Sequence, residues 1–87
     1  MKTWKKFKNH DGIYEYSGLI ITHELILDPE SSLKHRMMCE RDYIRRQEKK
    51  SIKLEVIGET YIQAKEKMIS DINGLKKLAK EWRPILG

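Results

Sequence analysis

Hydrophobic and polar residues alternate along the first third of the chain, and this alternation predicts strands. Between Leu19 and Leu27 apolar side chains recur at every second position, which is the period of a half-buried strand. The shorter segments 4–8 and 13–16 precede it. Asn9-His10-Asp11-Gly12 and Ser17-Gly18 separate these segments with residues that tolerate the positive φ of tight turns. The pattern predicts a three-stranded antiparallel meander.

The segment from Pro29 to Lys50 is predicted to be a helix. It opens with Asp28-Pro29-Glu30, in which the aspartate can cap free amides and the proline suits the first helical position. On a helical wheel Leu33, Met37 and Ile44 fall on one side, and basic side chains occupy a separate arc. An amphipathic helix accounts for both groups at once.

The same segment has an alternative interpretation as a strand. In that case alternate residues would share one face, namely Leu33, His35, Met37 and Cys39. The helix is preferred because it explains both the apolar side and the basic arc.

The last third of the chain predicts a strand followed by a helix. Residues 51–57 alternate between apolar and polar side chains, and Gly58 ends the strand. Thr60 and Gln63 have the spacing of a capping box, which marks a helix start. Apolar residues then step by four and three along the helix, at Met68, Ile72, Leu75, Ala79 and Trp82.

Two short signals divide and end this last helix. Asn73-Gly74 predicts a bend or a short break, because glycine is favoured just past a helix end. Arg83-Pro84 predicts its termination. The predicted order is therefore β-β-β-α-β-α, an α+β fold in which two helices pack on one face of a small antiparallel sheet. Residues 1–87 would form a single small basic domain.

Composition adds limits on size and compartment. Eighty-seven residues with 39% hydrophobic content suffice for one core and for no second domain. The single cysteine, Cys39, cannot form an intramolecular disulfide and suits a reducing compartment. No apolar stretch follows the N-terminal lysines as in a secretory signal, and the longest apolar run is too short to cross a membrane. We therefore expect a cytoplasmic protein with no membrane partner.

Positive charge concentrates between Pro29 and Lys50, where seven basic and four acidic residues give a net +3 of the chain's formal +5. A cationic surface attracts nucleic acid because each contacted phosphate releases condensed counterions. We predict that this arc binds DNA or RNA. The six candidate contact residues are Lys34, Arg41, Arg45, Arg46, Lys49 and Lys50. The competing interpretation is a solvated helix face that binds nothing.

The alternative function is a small protein-interaction module or inhibitor that docks on an acidic protein surface. The same cations would steer that association. The size and the basic α+β pattern are also those of small accessory proteins of phages and mobile elements, although no motif carries that likeness. The apolar stripe of the C-terminal helix could support a homodimer, but packing on the chain's own sheet is the commoner use of such a stripe.

Catalytic, metal and cofactor signatures are missing from the sequence. His35 and Cys39 are four residues apart and would share a helix face, but zinc needs three or four ligands and there is no Cys-x-x-Cys motif. No glycine-rich loop precedes a predicted helix, so no phosphate cradle is expected. We therefore predict a protein that is not an enzyme and that has no cofactor and no metal site.

Aromatic and basic residues interleave in Trp4-Lys5-Lys6-Phe7-Lys8. If exposed, this segment could stack on bases while its lysines hold phosphates. The preferred alternative is an edge strand, in which the aromatic rings are buried and the lysines guard the edge.

Overall fold

The computed structural model describes residues 3–7, 11–30 and 32–85, which form a six-stranded sheet, one α-helix and a short 3₁₀ turn. In chain order the elements are β1 (Lys5–Lys6), β2 (Ile13–Tyr16), β3 (Leu19–Leu27), β4 (Leu33–Arg45), β5 (Glu48–Gly58), α1 (Tyr61–Gly74), the 3₁₀ turn (Leu78–Lys80) and β6 (Arg83–Pro84).

The sheet is an antiparallel meander in the order β1-β2-β3-β4-β5, and β6 adds to it from the C-terminal end of the chain. β4 is the longest strand, with 13 residues. On one side it pairs with the whole of β5, from His35 to Arg45. On the other side it pairs first with β3, up to Cys39, and then with β6 at Tyr43 and Ile44.

The predicted helix over residues 29–50 is wrong, and so is the predicted fold with two helices on a small sheet. The segment forms β4 and the start of β5, joined by a tight turn in which Arg46 has a φ of +56°. The strand interpretation describes it correctly, since Met37 and Cys39 are both buried on one face. Asp28 caps a turn instead of a helix, because its Oδ1 accepts hydrogen bonds from the amides of Glu30 and Ser32.

Several other local predictions are confirmed where the structure describes them. The predicted continuation of the last helix through Trp82 is wrong, because a 3₁₀ turn (Leu78–Lys80) and β6 follow Gly74. Ser17 and Gly18 both have positive φ and join β2 to β3 in a two-residue turn. Thr60 caps α1 by accepting from the Gln63 amide. The helix ends at Gly74, as the break signal predicts. Two residues of the predicted first turn, 9 and 10, lie outside the described residues, as does the last residue of the predicted strand 4–8.

The core lies between α1 and one face of the sheet, which we call the helix-covered face; the opposite side is the open face. Alternate strand residues point to opposite faces, so every second side chain of β3, β4 and β5 enters this core. From the helix, Ala64, Met68 and Ile72 are buried against the sheet. The core cluster consists of Tyr16, Leu19, Ile21, Met37, Cys39, Val56, Ala64, Met68 and Ile72.

Gly58 allows the helix to follow β5 directly. A Cβ atom at this position would lie 2.6 Å from the backbone nitrogen of Ala64 and 3.0 Å from its Cα. Backbone atoms of the first helical turn cannot move aside without shifting α1 on the sheet. Glycine is therefore required here by close approach of two backbones, not by an unusual φ.

We predict that Gly58→Ala lowers the free energy of unfolding by about 1–3 kcal/mol, because the added methyl group displaces the helix from its core. Urea denaturation followed by circular dichroism measures the change. Gly74→Ala is the matched control: nothing lies within 4 Å of its added Cβ. The control should unfold within about 1 kcal/mol of the wild type. Equal losses in the two variants would contradict the role assigned to Gly58.

Candidate nucleic-acid interface

The six predicted contact residues lie on two paired strands and the turn between them, instead of on one helical arc. Lys34 and Lys49 point to the open face, whereas Arg41, Arg45 and Lys50 point to the helix-covered face. Lys34 and Arg45 also lie eleven residues apart on β4, which at the rise of a strand is roughly 36 Å. The basic helix face predicted from the sequence therefore does not form.

Two of the six residues hold the fold together locally. Lys34 Nζ lies 3.2 Å from Glu59 Oε1 and 3.9 Å from Asp28 Oδ2, so it links the β3–β4 loop to the end of β5. Arg41 donates a hydrogen bond to the carbonyl of Gly18, in the turn between β2 and β3. These contacts give both side chains a structural role.

The other four predicted residues gather at one end of the sheet, because the β4–β5 turn brings chain neighbours together. Arg83, on β6, joins them by pairing with Ile44 of β4. We call this group the basic end; it consists of Arg45, Arg46, Lys49, Lys50 and Arg83. An open groove at this end is lined by Ile44, Arg45, Arg46, Glu48, Glu81 and Arg83.

Trp82 anchors the basic end. Its side chain is buried, and the Arg45 guanidinium lies 4.5 Å from the ring centroid. Lys50 Nζ lies 5.7 Å from the same ring. Cation–π contacts of this kind fix a flexible basic side chain on a rigid support. The Ile85 amide donates to the Asp42 carbonyl at 2.8 Å, which ties the C-terminal segment to β4.

Carboxylates neutralise part of the basic end. Arg45 forms ion pairs with Glu48 at 3.2 Å and Glu81 at 3.3 Å. Lys49 Nζ lies 3.7 Å from Asp42 Oδ2.

Within the part of the chain that the structure describes, no ion pair involves Arg46, Lys50 or Arg83, and all three are exposed. These three cations are the ones available to an anionic ligand. Sequence reasoning missed Arg83, because its place beside the hairpin depends on the pairing of β6 with β4. The only local signal at Arg83 is the proline that follows it, and this proline predicts the end of a helix.

The N-terminal aromatic segment serves the core at Trp4. The Trp4 ring stacks on Tyr14 with centroids 5.4 Å apart, and its Nε1 donates to the Tyr61 hydroxyl at 2.9 Å. Trp4 thus packs against the core as the edge-strand interpretation expects, although it precedes β1 and is only half-buried. Phe7, which that interpretation also buries, is exposed. Lys8 lies outside the described residues.

His23 and His35 form a stacked pair across β3 and β4, near the start of α1. Their rings are nearly parallel, and His23 Nε2 lies 2.9 Å from His35 Nδ1, so one nitrogen donates and the other accepts. Tyr14 and Tyr61 meet the His23 ring edge-on. Burial lowers the pKa of His23, and the neighbouring His35 lowers it further.

Cys39 is buried in the core and does not share a site with His35. Its Sγ lies 3.8 Å from the Met68 sulfur, and burial raises the pKa of the thiol to about 11. Among the described residues, no three histidine, cysteine or acidic side chains are grouped so that they could hold a metal ion.

Comparisons with protein families, with curated proteins and with solved structures find no match for this chain. In the described ranges, no helix combines the length and the apolar character needed to cross a membrane.

We predict that His23 takes up a proton only below its ordinary pKa of 6.5 in the folded chain. The unfolded chain binds that proton at higher pH, so the free energy of unfolding falls as the pH decreases from about 7.5 to 5.5. Imidazole NMR signals followed over this range give the midpoint, and His23→Gln identifies the signal by removing it. The variant should also show a smaller loss of stability in urea between the two pH values. A midpoint at or above 6.5 would contradict the assignment.

Proposed function

We propose that this chain is a non-enzymatic nucleic acid-binding protein that contacts phosphates through the basic end. The observation that supports this best is the gathering of Arg46, Lys50 and Arg83 at the basic end. All three are exposed cations without ion pairs in the described structure, and Arg46 and Arg83 line the open groove there. Groups of this kind hold a polyanion by releasing its counterions, and they position a protein without reading sequence.

The shape of the hairpin supports the same proposal. β4 and β5 form an antiparallel hairpin that ends at the turn carrying Arg46, and β6 pairs with β4 beside this end. An arginine at the tip of a hairpin can contact phosphates and, in the major groove of B-DNA, guanine edges. Trp82 underneath holds Arg45 and Lys50 in place, which lowers the entropy lost when they contact a ligand.

We further propose that the protein acts in the cytoplasm. The thiol of Cys39 is buried and unpaired, as is usual for a cysteine in a reducing compartment. The groove at the basic end is open and is lined by charged side chains, so no cofactor is assigned to it.

We predict that Arg46→Gln combined with Lys50→Gln weakens binding to duplex DNA or single-stranded RNA by at least about tenfold at low salt. Each lost phosphate contact reduces the slope of log K against log salt by about 0.9 on duplex DNA and by about 0.7 on a single strand, so the double variant should lose about 1.8 or about 1.4. Fluorescence anisotropy with labelled oligonucleotides over a salt series measures both quantities.

Lys5→Gln combined with Lys65→Gln is the control, since it removes the same charge from β1 and α1, away from the basic end. The control should keep most of the wild-type slope. Equal slopes in the two double variants would show that only net charge matters and would contradict the assigned surface. Absence of binding to either nucleic acid would favour docking on an acidic protein instead.

A further inference from the structure

β5 forms a long unpaired edge of the sheet. It has eleven residues, and within the described structure its only strand partner is β4. The opposite edge, β1, has two residues. An edge of this length exposes a row of backbone donors and acceptors that can pair with another strand.

The backbone groups on this free edge can be identified from one contact. Lys67 Nζ donates to the Ile57 carbonyl at 2.9 Å, so that carbonyl points away from β4. In an antiparallel ladder, the amide and the carbonyl of one residue point the same way and alternate along the strand. The free groups are therefore those of Lys49, Ser51, Lys53, Glu55 and Ile57.

The side chains along the edge carry complementary charge. Lys53 and Glu55 are exposed on the open face, two residues apart, and neither forms an ion pair in the described part of the chain. A strand with adjacent opposite charges on one face can pair antiparallel with a copy of itself, so that each lysine meets a glutamate.

We infer that β5 pairs antiparallel with β5 of a second copy of this chain, with the two-fold axis at Leu54. In this register Lys53 lies opposite Glu55 of the second copy, and the reverse pair forms by symmetry. On the helix-covered face, Leu54 meets its own copy and Ile52 meets Val56. The pairing thus combines ion pairs on the open face with apolar contacts on the helix-covered face.

Neighbouring registers are less favourable for a clear reason. Only shifts that keep free backbone groups opposite free backbone groups are allowed, so the axis must pass through a residue. An axis at Lys53 places two lysines opposite each other, and an axis at Glu55 places two glutamates opposite each other. Like charges directly opposite destabilise a strand pair. Of these three registers, the one centred on Leu54 is favoured because it places opposite charges across from each other.

Lys67 protects this edge in the isolated chain, because its ammonium group occupies the Ile57 carbonyl. In the dimer, the Ser51 amide of the second copy donates a hydrogen bond to the Ile57 carbonyl instead, and the Lys67 ammonium group returns to solvent. This exchange makes the association reversible and dependent on protein concentration. The pairing is independent of the proposed nucleic-acid contact, since residues 51–57 lie outside the basic end.

Charge exchange tests this inference on the full chain. Sedimentation velocity over a range of concentrations should show a dimer for the wild type. Lys53→Glu and Glu55→Lys should each raise the dimer dissociation constant by about tenfold or more, because each creates two like-charged pairs. The double variant carrying both changes restores opposite charges and should dimerise like the wild type.

Lys5→Glu is the matched control, because it reverses one charge on β1 and should leave the dimer unchanged. Circular dichroism and urea denaturation show whether each variant is folded, which matters for Lys53→Glu since residue 53 lies opposite Glu40 on β4. The inference is overturned by a wild type that stays monomeric at every concentration. A folded double variant that fails to recover the dimer overturns it equally.

Discussion

Strand β4 is hydrogen-bonded along both edges, and the other elements of the molecule are placed by that pairing. β5 covers one edge from His35 to Arg45, 11 of the 13 residues, while β3 and β6 share the other. Because Met37, Cys39 and Tyr43 alternate toward the same side, β4 presents a buried apolar row to the face on which α1 packs. The buried residues of the helix pack on this row together with Ile21 of β3 and Val56 of β5.

The same alternation decides where the charges go. Neighbouring basic residues on a strand point to opposite faces, so a cluster in the sequence becomes a cluster in space only where the chain reverses. The β4–β5 turn is such a place, and Arg45, Arg46, Lys49 and Lys50 stay together there. Lys34 and Arg41 lie further along β4, and each is held by a nearby loop. The basic end is thus a consequence of the hairpin.

Local signals predict β2, β3, most of β5 and the start of α1, whereas the predicted fold class is wrong. The error over residues 29–50 has a definite physical cause. Leu33 and Met37 are four residues apart, a spacing that puts two side chains on one side of a helix and also on one face of a strand. The sequence within the segment therefore does not separate the two structures. The segment forms a strand because it pairs with β3 and β5, and such pairing cannot be deduced from local periodicity. α1 was predictable because Thr60 and Gln63 mark its start and its stripe runs over several turns.

The candidate site was predictable to the extent that it is local. The hairpin residues were found because they are neighbours in the sequence, whereas Arg83 required knowledge that the C-terminal segment returns to β4. Trp82 illustrates the same limit: it fits the helical stripe by spacing, yet it is buried beneath Arg45, beyond the end of α1. The position of Trp82 beneath Arg45 therefore follows from tertiary contacts, whereas the periodicity of the sequence places this residue on a helix.

The two surfaces proposed for β5 can act together because they use different parts of the strand. Pairing of two β5 strands around the two-fold axis at Leu54 uses residues 51–57. The contacts to phosphate use the β4–β5 turn at Arg46 and the neighbouring strand β6. In a pair of chains, the two turns would lie at opposite ends of one continuous sheet, sixteen residues apart along the strand direction, or roughly 50 Å. A long polyanion could then reach both basic ends, and each would strengthen the binding of the other through effective concentration. Taken together, the two proposals predict a protein that binds nucleic acid more tightly as its own concentration rises.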